Sequence, residues 1–401
     1  MKKILFITNG HGEDQTAAKI IEKLPTDIDV SVMPMVGDGA VVGAFREPSQ
    51  PINLLGPRKS LPSGGFSARN LLALPKDIIS GLLGLLYLQI KTLKKLRGQF
   101  DLVVAIGDIV PIFAALITKI PFIFVGVNKS DYYKTFGYNY TPWEKWLLKK
   151  YAKIVFARDA HTSNSLKKDG INAVYKGNPL MDGIGSYEII EKKDGEKIIG
   201  FLPGTRKEDI PKNIEDFGKI AKELSKIDKN FRFLVACKSV KAYCNSPQQM
   251  QPQSFETLIY NADIIIGLSG AGNEQAAGIG KPVISFLSRG SQYNKKFALA
   301  QKELLGDALT LVEPSHKPQL FTPIRKSGFI PGKISNTLRE FCSSMNNRGK
   351  MAQLWTAIAK ETVAILNDAA RYNHISEIGK ERMDKGGAVN QISQYIQDEV
   401  K

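Results

Sequence analysis

The sequence has little with which to cross-link itself or hold a metal. Only three cysteines, Cys237, Cys244 and Cys342, occur in 401 residues. They form no disulfide framework and no pair of CxxC motifs, and Cys237 and Cys244 stand too far apart for a standard zinc knuckle. Free thiols in a reducing compartment are expected. The four histidines, His11, His161, His316 and His374, are scattered and suggest no metal site. Long hydrophobic runs are missing too. The longest, Ile78 to Leu88, falls short of the roughly 20 residues that span a bilayer. The opening MKKILFITNG has too short an apolar run for a signal peptide and reads as a first β-strand. Acidic side chains are in deficit, with 39 Asp and Glu against 55 Lys and Arg and a formal charge of +16. Between 30 and 100 the basic residues Arg46, Arg58, Lys59, Arg69, Lys76, Lys91, Lys94, Lys95 and Arg97 face only Asp38, Glu47 and Asp77. Such an excess favours a polyanionic partner: nucleic acid, an anionic membrane surface or a phosphorylated substrate.

What the chain does have is alternation. Short apolar runs at Ile4–Thr8, Val30–Met35, Leu102–Ile106, Phe122–Val127, Ile154–Ala157 and Ala173–Tyr175 are interleaved with helical patterns at about 14–24, 111–118, 143–151 and 159–169. The second half repeats the theme. Strands are predicted near 198–202, 231–236, 264–268, 282–286 and 309–312, with helices near 213–227, 254–261, 273–278 and 294–304. Continuous apolar strands between helices imply parallel sheets covered on both faces. The charged, glycine-bearing stretch 183–196 marks the boundary between two Rossmann-like α/β domains, 1–183 and 184–380. Two such domains in tandem put a cleft between the carboxyl ends of their sheets, where ligands bind in this architecture.

The most informative segment is DIIIGLSGAGNEQAAGIGKPVISF, residues 263–286. A strand runs into Ser269-Gly270-Ala271-Gly272, and a helix follows with Glu274 and Gln275 near its start. A strand, a glycine turn and a helix N-terminus make an anion site, because backbone N–H groups and the helix dipole point at the ligand. An ordinary βαβ turn gives the same pattern. In GFLPGTRKEDI, residues 200–210, Arg206 can pair two hydrogen bonds with a diphosphate, which lysine does poorly. Asp108 follows the strand LVVAI and Gly107, so it stands at a sheet's carboxyl edge as either a general base or the N-cap of the next helix. His11, flanked by Gly10 and Gly12, sits after the first strand as a possible base, ligand contact or plain loop residue, with Glu13 beside it. The aromatic stretch Tyr132 to Trp146, with Lys129, Lys134 and Lys145, suits nucleic-acid stacking or, more simply, core and an acceptor-side wall. Residues 66–97 combine an apolar body with a basic end. They read as a buried helix, as a surface helix on anionic lipid, or as both, with a 62–74 loop exposed.

Taken in order, these motifs resemble the lipid-A-disaccharide synthases, glycosyltransferases of the GT-B type. LPGTRKEDI is similar to their LPGSRxxEI motif, with Thr205 for Ser. GNPLMD at 177–182 is similar to GHPLxD, with Asn178 for His. SGAGNE resembles SGTxxLE, NGHGED stands where the family has GExSGD, and AIGDIVPIF resembles GIDxPDF without its second Asp. The segments GPR, PSGGF at 62–66 and SQYNKKFALAQ at 291–301 look most like a divergent, synthase-related group. The resemblance implies two facing Rossmann-like domains and a terminal helix, 381–401, crossing back to the first. It also implies a UDP-sugar donor on the second domain, at Arg206, Ser269, Gly270, Ala271, Gly272, Glu274, Gln275, Gln292, Tyr293 and Asn294. Catalysis falls to Asp108, His11 or Glu13. No metal or other cofactor is expected if arginine and backbone dipoles neutralise the leaving group. The expected protein is an inverting hexosyltransferase acting on a lipid-linked acceptor. It would be cytoplasmic and peripheral to the inner membrane face, with no nucleic-acid partner. Two alternatives stand beside it: a UDP-N-acetylglucosamine epimerase or hydrolase, and a non-catalytic lipid- or nucleotide-binding protein on a decayed transferase scaffold.

Overall fold

The computed structural model describes residues 1–37, 39, 52–59, 74–135, 137–237, 250–290, 293–314 and 348–401. The chain divides into two compact units, Met1–Gly183 together with Asp384–Lys401, and Ile184–Met383.

In the first unit the strands are β1 (Lys3–Thr8), β2 (Asp29–Pro34), β3 (Asn53–Leu54), β4 (Leu102–Ile106), β5 (Phe122–Gly126), β6 (Ala152–Ala157) and β7 (Ala173–Tyr175). They form one sheet in the order β3-β2-β1-β4-β5-β6-β7, and every neighbouring pair is parallel. Its helices are α1 (His11–Glu22), α2 (Leu74–Ile79), α3 (Leu82–Lys95), α4 (Ile109–Thr118), α5 (Pro142–Tyr151) and α6 (Ala160–Lys168). In the second unit β8 (Lys197–Leu202), β9 (Phe231–Ala236), β10 (Met250–Gln253), β11 (Ile264–Gly267), β12 (Val283–Phe286) and β13 (Leu309–Val312) pair in the order β10-β9-β8-β11-β12-β13, again all parallel. Its helices are α7 (Ile210–Ile227), α8 (Phe255–Asn261), α9 (Ala271–Gly278), α10 (Lys295–Leu305), α11 (Arg348–Asn367) and α12 (Ala369–Met383). The chain then returns to the first unit as α13 (Ala388–Val400).

The apolar strands are explained by what covers them. Along β1, Ile4 and Phe6 join a core with Val104 of β4, Ile20 of α1 and Ile392 of α13. The alternate residues Leu5 and Ile7 join a second core with Val103 of β4, Leu93 of α3, Ile112 of α4 and Leu148 of α5. Both faces are dry, so no polar alternation survives in the sequence. Helix α13 buries Val389, Ile392, Ile396 and Val400, spaced for one helical face. Its start is clasped by Asp182, whose carboxylate accepts from the Val389 N–H at 2.9 Å and from that of Gly387. The GNPLMD motif is thus a structural clasp. The backbone of Asn178 donates to Lys385 O at 3.0 Å, and Asn178 is itself buried.

The aromatic stretch divides. Tyr133, Tyr138 and Tyr140 are buried, while Trp143 and Trp146 are exposed. Lys129 is buried and paired with Glu144 at 2.7 Å, and Lys145 reaches Asp169 at 2.8 Å. These lysines are therefore neutralised within the protein. The 62–73 part of the apolar loop lies outside the described residues. Beyond it, α3 turns Leu85, Gln89 and Leu93 inward and leaves Leu83, Leu86, Tyr87 and Ile90 exposed. Among the described residues no helix is long and apolar enough to cross a membrane.

Candidate functional site

In each sheet the strand order reverses at one place, between β1 and β4 and between β8 and β11. Loops leaving neighbouring strands in opposite directions open a crevice at their carboxyl ends, where parallel α/β sheets bind ligands. Arg206 and the Ser269–Gly272 turn fall at one of these reversals, and His11, Glu13 and Asp108 at the other.

At the reversal in the second unit, β8 leads into Pro203-Gly204-Thr205-Arg206, and β11 leads through Leu268 into Ser269 and Gly270. Helix α9 starts at Ala271, two residues earlier than the pattern suggested, with Gly270 as its N-cap. The Ser269 hydroxyl accepts from the Gly272 N–H at 3.3 Å, which fixes the turn. Arg206 is half-buried, and its carbonyl accepts from Asp209 and Ile210 at 3.0 and 3.1 Å, so the loop folds straight into α7. A polar chain ties this loop to the one after β12. The Asn213 amide donates to Pro203 O at 2.9 Å, the Ser288 hydroxyl donates to Asn213 Oδ1 at 2.7 Å, and Gly290 N–H donates to Ser288 Oγ at 2.8 Å. Neither Asn213 nor Ser288 belonged to a recognisable motif. Their signal is burial of short polar side chains, at 2% and 5% exposure, which requires partners.

Several expected donor contacts lie deeper than expected. Glu274 is buried and accepts from the Gln301 amide at 2.7 Å. Gln275 is buried. Tyr293 is 1% exposed. Its hydroxyl lies 3.4 Å from Asn273 Nδ2, and burial holds the phenol's pKa well above its ordinary value. Tyr293 therefore packs the turn from behind, because its ring completes the core around Phe286 and Leu268. Asn294 is exposed and caps α10, accepting from Phe297 N–H at 3.1 Å. Gln292 lies outside the described residues. Arg206, Ser269, Gly270 and Ala271 keep exposed surface on the loops after β8 and β11, while Gly272 is buried.

At the reversal in the first unit, the Asp108 carboxylate accepts from Val110 N–H at 3.0 Å and from the Asn9 amide at 2.9 Å. It is the N-cap of α4 and still half-exposed, so capping and proton transfer are both open to it. Glu13 and Asp14 are buried in the first turn of α1. Asp14 accepts from the Thr8 hydroxyl at 2.6 Å, and Glu13 accepts from the Asn128 amide. His11 opens α1, and its side chain lies outside the description. The edge thus gathers three carboxylates with amide and hydroxyl donors. Among the described residues no group of three His, Cys, Asp or Glu side chains is placed to hold a metal.

Residues 76–264 match the family model described as lipid-A-disaccharide synthetase. A lipid-A-disaccharide synthase of Helicobacter pylori is 27% identical over 242 residues, 55% of this chain and 64% of the relative. The match therefore spans a little under two thirds of that relative's length. In structure, Staphylococcus aureus MnaA with UDP superposes with a TM-score of 0.57 at 17% identity, covering 99% of this chain and 96% of that one. The calicheamicin glycosyltransferase CalG4 gives 0.59 at 11% identity, covering 100% and 98%. A putative UDP-N-acetylglucosamine 2-epimerase of Listeria monocytogenes gives 0.59 at 12%, covering 99% and 96%. At these identities the structural likeness speaks for the fold alone, which epimerases and transferases share. The architecture is that of the GT-B fold, and over part of its length the sequence is similar to the lipid-A-disaccharide synthases.

Proposed function

We propose that the protein is a glycosyltransferase that moves a sugar from a UDP-sugar to a lipid-linked acceptor. The observation that carries this reading is the placement of Arg206 and of the Ser269–Gly272 turn, at the start of α9, on the loops that follow the neighbouring strands β8 and β11. A guanidinium and a helix N-terminus suit a diphosphate leaving group. The structural relatives with bound UDP or thymidine diphosphate support a nucleotide in this fold. In the reaction, Asp108 takes the proton of the acceptor hydroxyl. The acceptor oxygen bonds to the anomeric carbon, the bond from that carbon to the diphosphate oxygen breaks, and UDP departs with the electron pair. A single displacement of this kind inverts the anomeric configuration.

The decisive measurement is UDP release. Mixing enzyme, UDP-sugar and a lipid-linked sugar acceptor in vesicles should release UDP in step with a glycolipid product. An epimerase would alter the UDP-sugar without any acceptor, and a binding protein would turn over neither. Either result would remove the transferase reading.

The lipid acceptor is supported by α3. Leu83, Leu86, Tyr87 and Ile90 form one exposed apolar stripe, and Lys91, Lys94 and Lys95 are exposed at its C-terminal end. An amphipathic helix so built lies in the membrane interface with its cations at the phosphates, here on the inner face. Binding to phosphatidylglycerol-containing vesicles should weaken as salt is raised, since the screening length falls from about 8 Å at physiological strength to about 3 Å at 1 M. Sedimentation with neutral and anionic vesicles checks this. Equal partition onto both would remove the electrostatic part of the proposal.

A further inference from the structure

The loops at the reversal in the first unit are shaped around one carboxylate. Gly10 has φ +147° and Gly107 has φ +127°, conformations that residues with a Cβ rarely adopt. The same two positions leave a side chain only a tight fit, and against the same neighbour. A Cβ at Gly10 would lie 3.2 Å from Glu13 Oε2, and a Cβ at Gly107 would lie 3.0 Å from Glu13 Cγ. Glu13 is 6% exposed. Burying a carboxylate is costly unless donors meet it. One donor comes from a third loop, after β5, where Asn128 Nδ2 hydrogen-bonds Glu13 Oε1. Loops following β1, β4 and β5, three adjacent strands, thus close on a single side chain. Asn128 is half-exposed, so ordinary core packing does not account for it.

We infer that Asn128 is a positioning residue. Its amide fixes the Glu13 carboxylate so that Glu13 accepts a hydrogen bond from the acceptor and aligns the hydroxyl that Asp108 deprotonates. This rests on the transferase reading above. The adjacent loop supplies the second carboxylate at the required edge, because Gly107 precedes Asp108. A rigid acceptor of this kind affects the geometry of the reacting hydroxyl far more than donor binding, which the second unit performs.

Asn128→Leu, near-isosteric and without the donor, tests the inference. Misplacing a reacting group by about an ångström costs on the order of 10²-fold in rate, so kcat should fall by roughly that factor. KM for the UDP-sugar and the melting temperature should stay near wild type, and Asn128→Gln should recover part of the loss. In a Glu13→Gln background, Asn128→Leu should cost nothing further, because residues acting through one another are not additive. Additive losses, or an effect on stability alone, would overturn the inference. A second measurement needs no turnover. The carboxylate stretch assigned to Glu13, from the infrared difference between wild type and Glu13→Gln with ¹³C-labelled glutamate, should shift in Asn128→Leu. No shift overturns the pairing. A shift in a protein that binds UDP but transfers no sugar upholds the pairing and removes the transferase reading instead.

Discussion

Asp108→Asn should lower kcat by about 10²–10⁴-fold, the usual contribution of a positioned general base, while UDP affinity and melting temperature stay near wild type. The geometry makes this substitution unusually clean. Asp108 Oδ1 accepts from Val110 N–H at 3.0 Å and from Asn9 Nδ2 at 2.9 Å. An asparagine carbonyl oxygen in the same place accepts both, and Asn is as good an N-cap as Asp. The carboxylate's charge and its capacity to take a proton are lost, while both of these bonds to Oδ1 are kept. If Asp108 merely caps α4, activity should survive in Asp108→Asn, and Asp108→Ala should instead cost about 0.5–2 kcal/mol of stability. Steady-state kinetics and thermal melts on both variants separate the cases. An asparagine variant that keeps most of its transfer rate would move the base to Glu13 or His11.

Arg206→Ala should weaken UDP binding by about 1.5–3 kcal/mol, the scale of hydrogen bonds to charged groups, which is roughly tenfold or more in Kd. The loop should not collapse when the side chain is removed. Its path is set by backbone bonds from Asp209 and Ile210 to the Arg206 carbonyl and by the Asn213 bond to Pro203 O. Arg206→Lys keeps the charge and loses the paired geometry, so its affinity should fall between the two. Calorimetric titration with UDP measures all three proteins. Unchanged affinity in Arg206→Ala would place the nucleotide elsewhere.

Much of the architecture was legible because buried parallel strands leave an unambiguous mark. The runs at Leu102–Ile106, Ala173–Tyr175, Phe231–Ala236 and Leu309–Val312 are strands with those bounds. Two edge strands left no mark. β3 is two residues long, and β10 reads Met-Gln-Pro-Gln, with no apolar run to detect. Helices α11 and α12 were missed because their amphipathic signal is faint. Only Ile375, Gly379 and Met383 of α12 are buried. At the candidate site, motifs led to the loops at both strand-order reversals, since glycine turns and helix starts have a sequence signature. They did not separate residues at the edge from those behind it. Tyr293 and Glu274 stood next to the right glycines in the sequence, yet both are buried. The amides that hold the site together, Asn9, Asn128 and Asn213, gave no sign at all, because a hydrogen bond between distant loops has no spacing in the chain.

The return of α13 has a consequence for biosynthesis. The second unit is one uninterrupted segment, Ile184–Met383, inserted within the first, which is completed only by Asp384–Lys401. Domains generally fold as units during synthesis, at about 5–20 residues per second. The later-encoded unit can therefore finish folding while the earlier one still waits. Until α13 leaves the ribosome, Ile392 and Ile396 are missing from the core that contains Ile4, Ile20 and Val104, and that side of the nascent sheet stays partly uncovered. Loss of α13 by truncation before Ala388 should therefore damage the first unit more than the second.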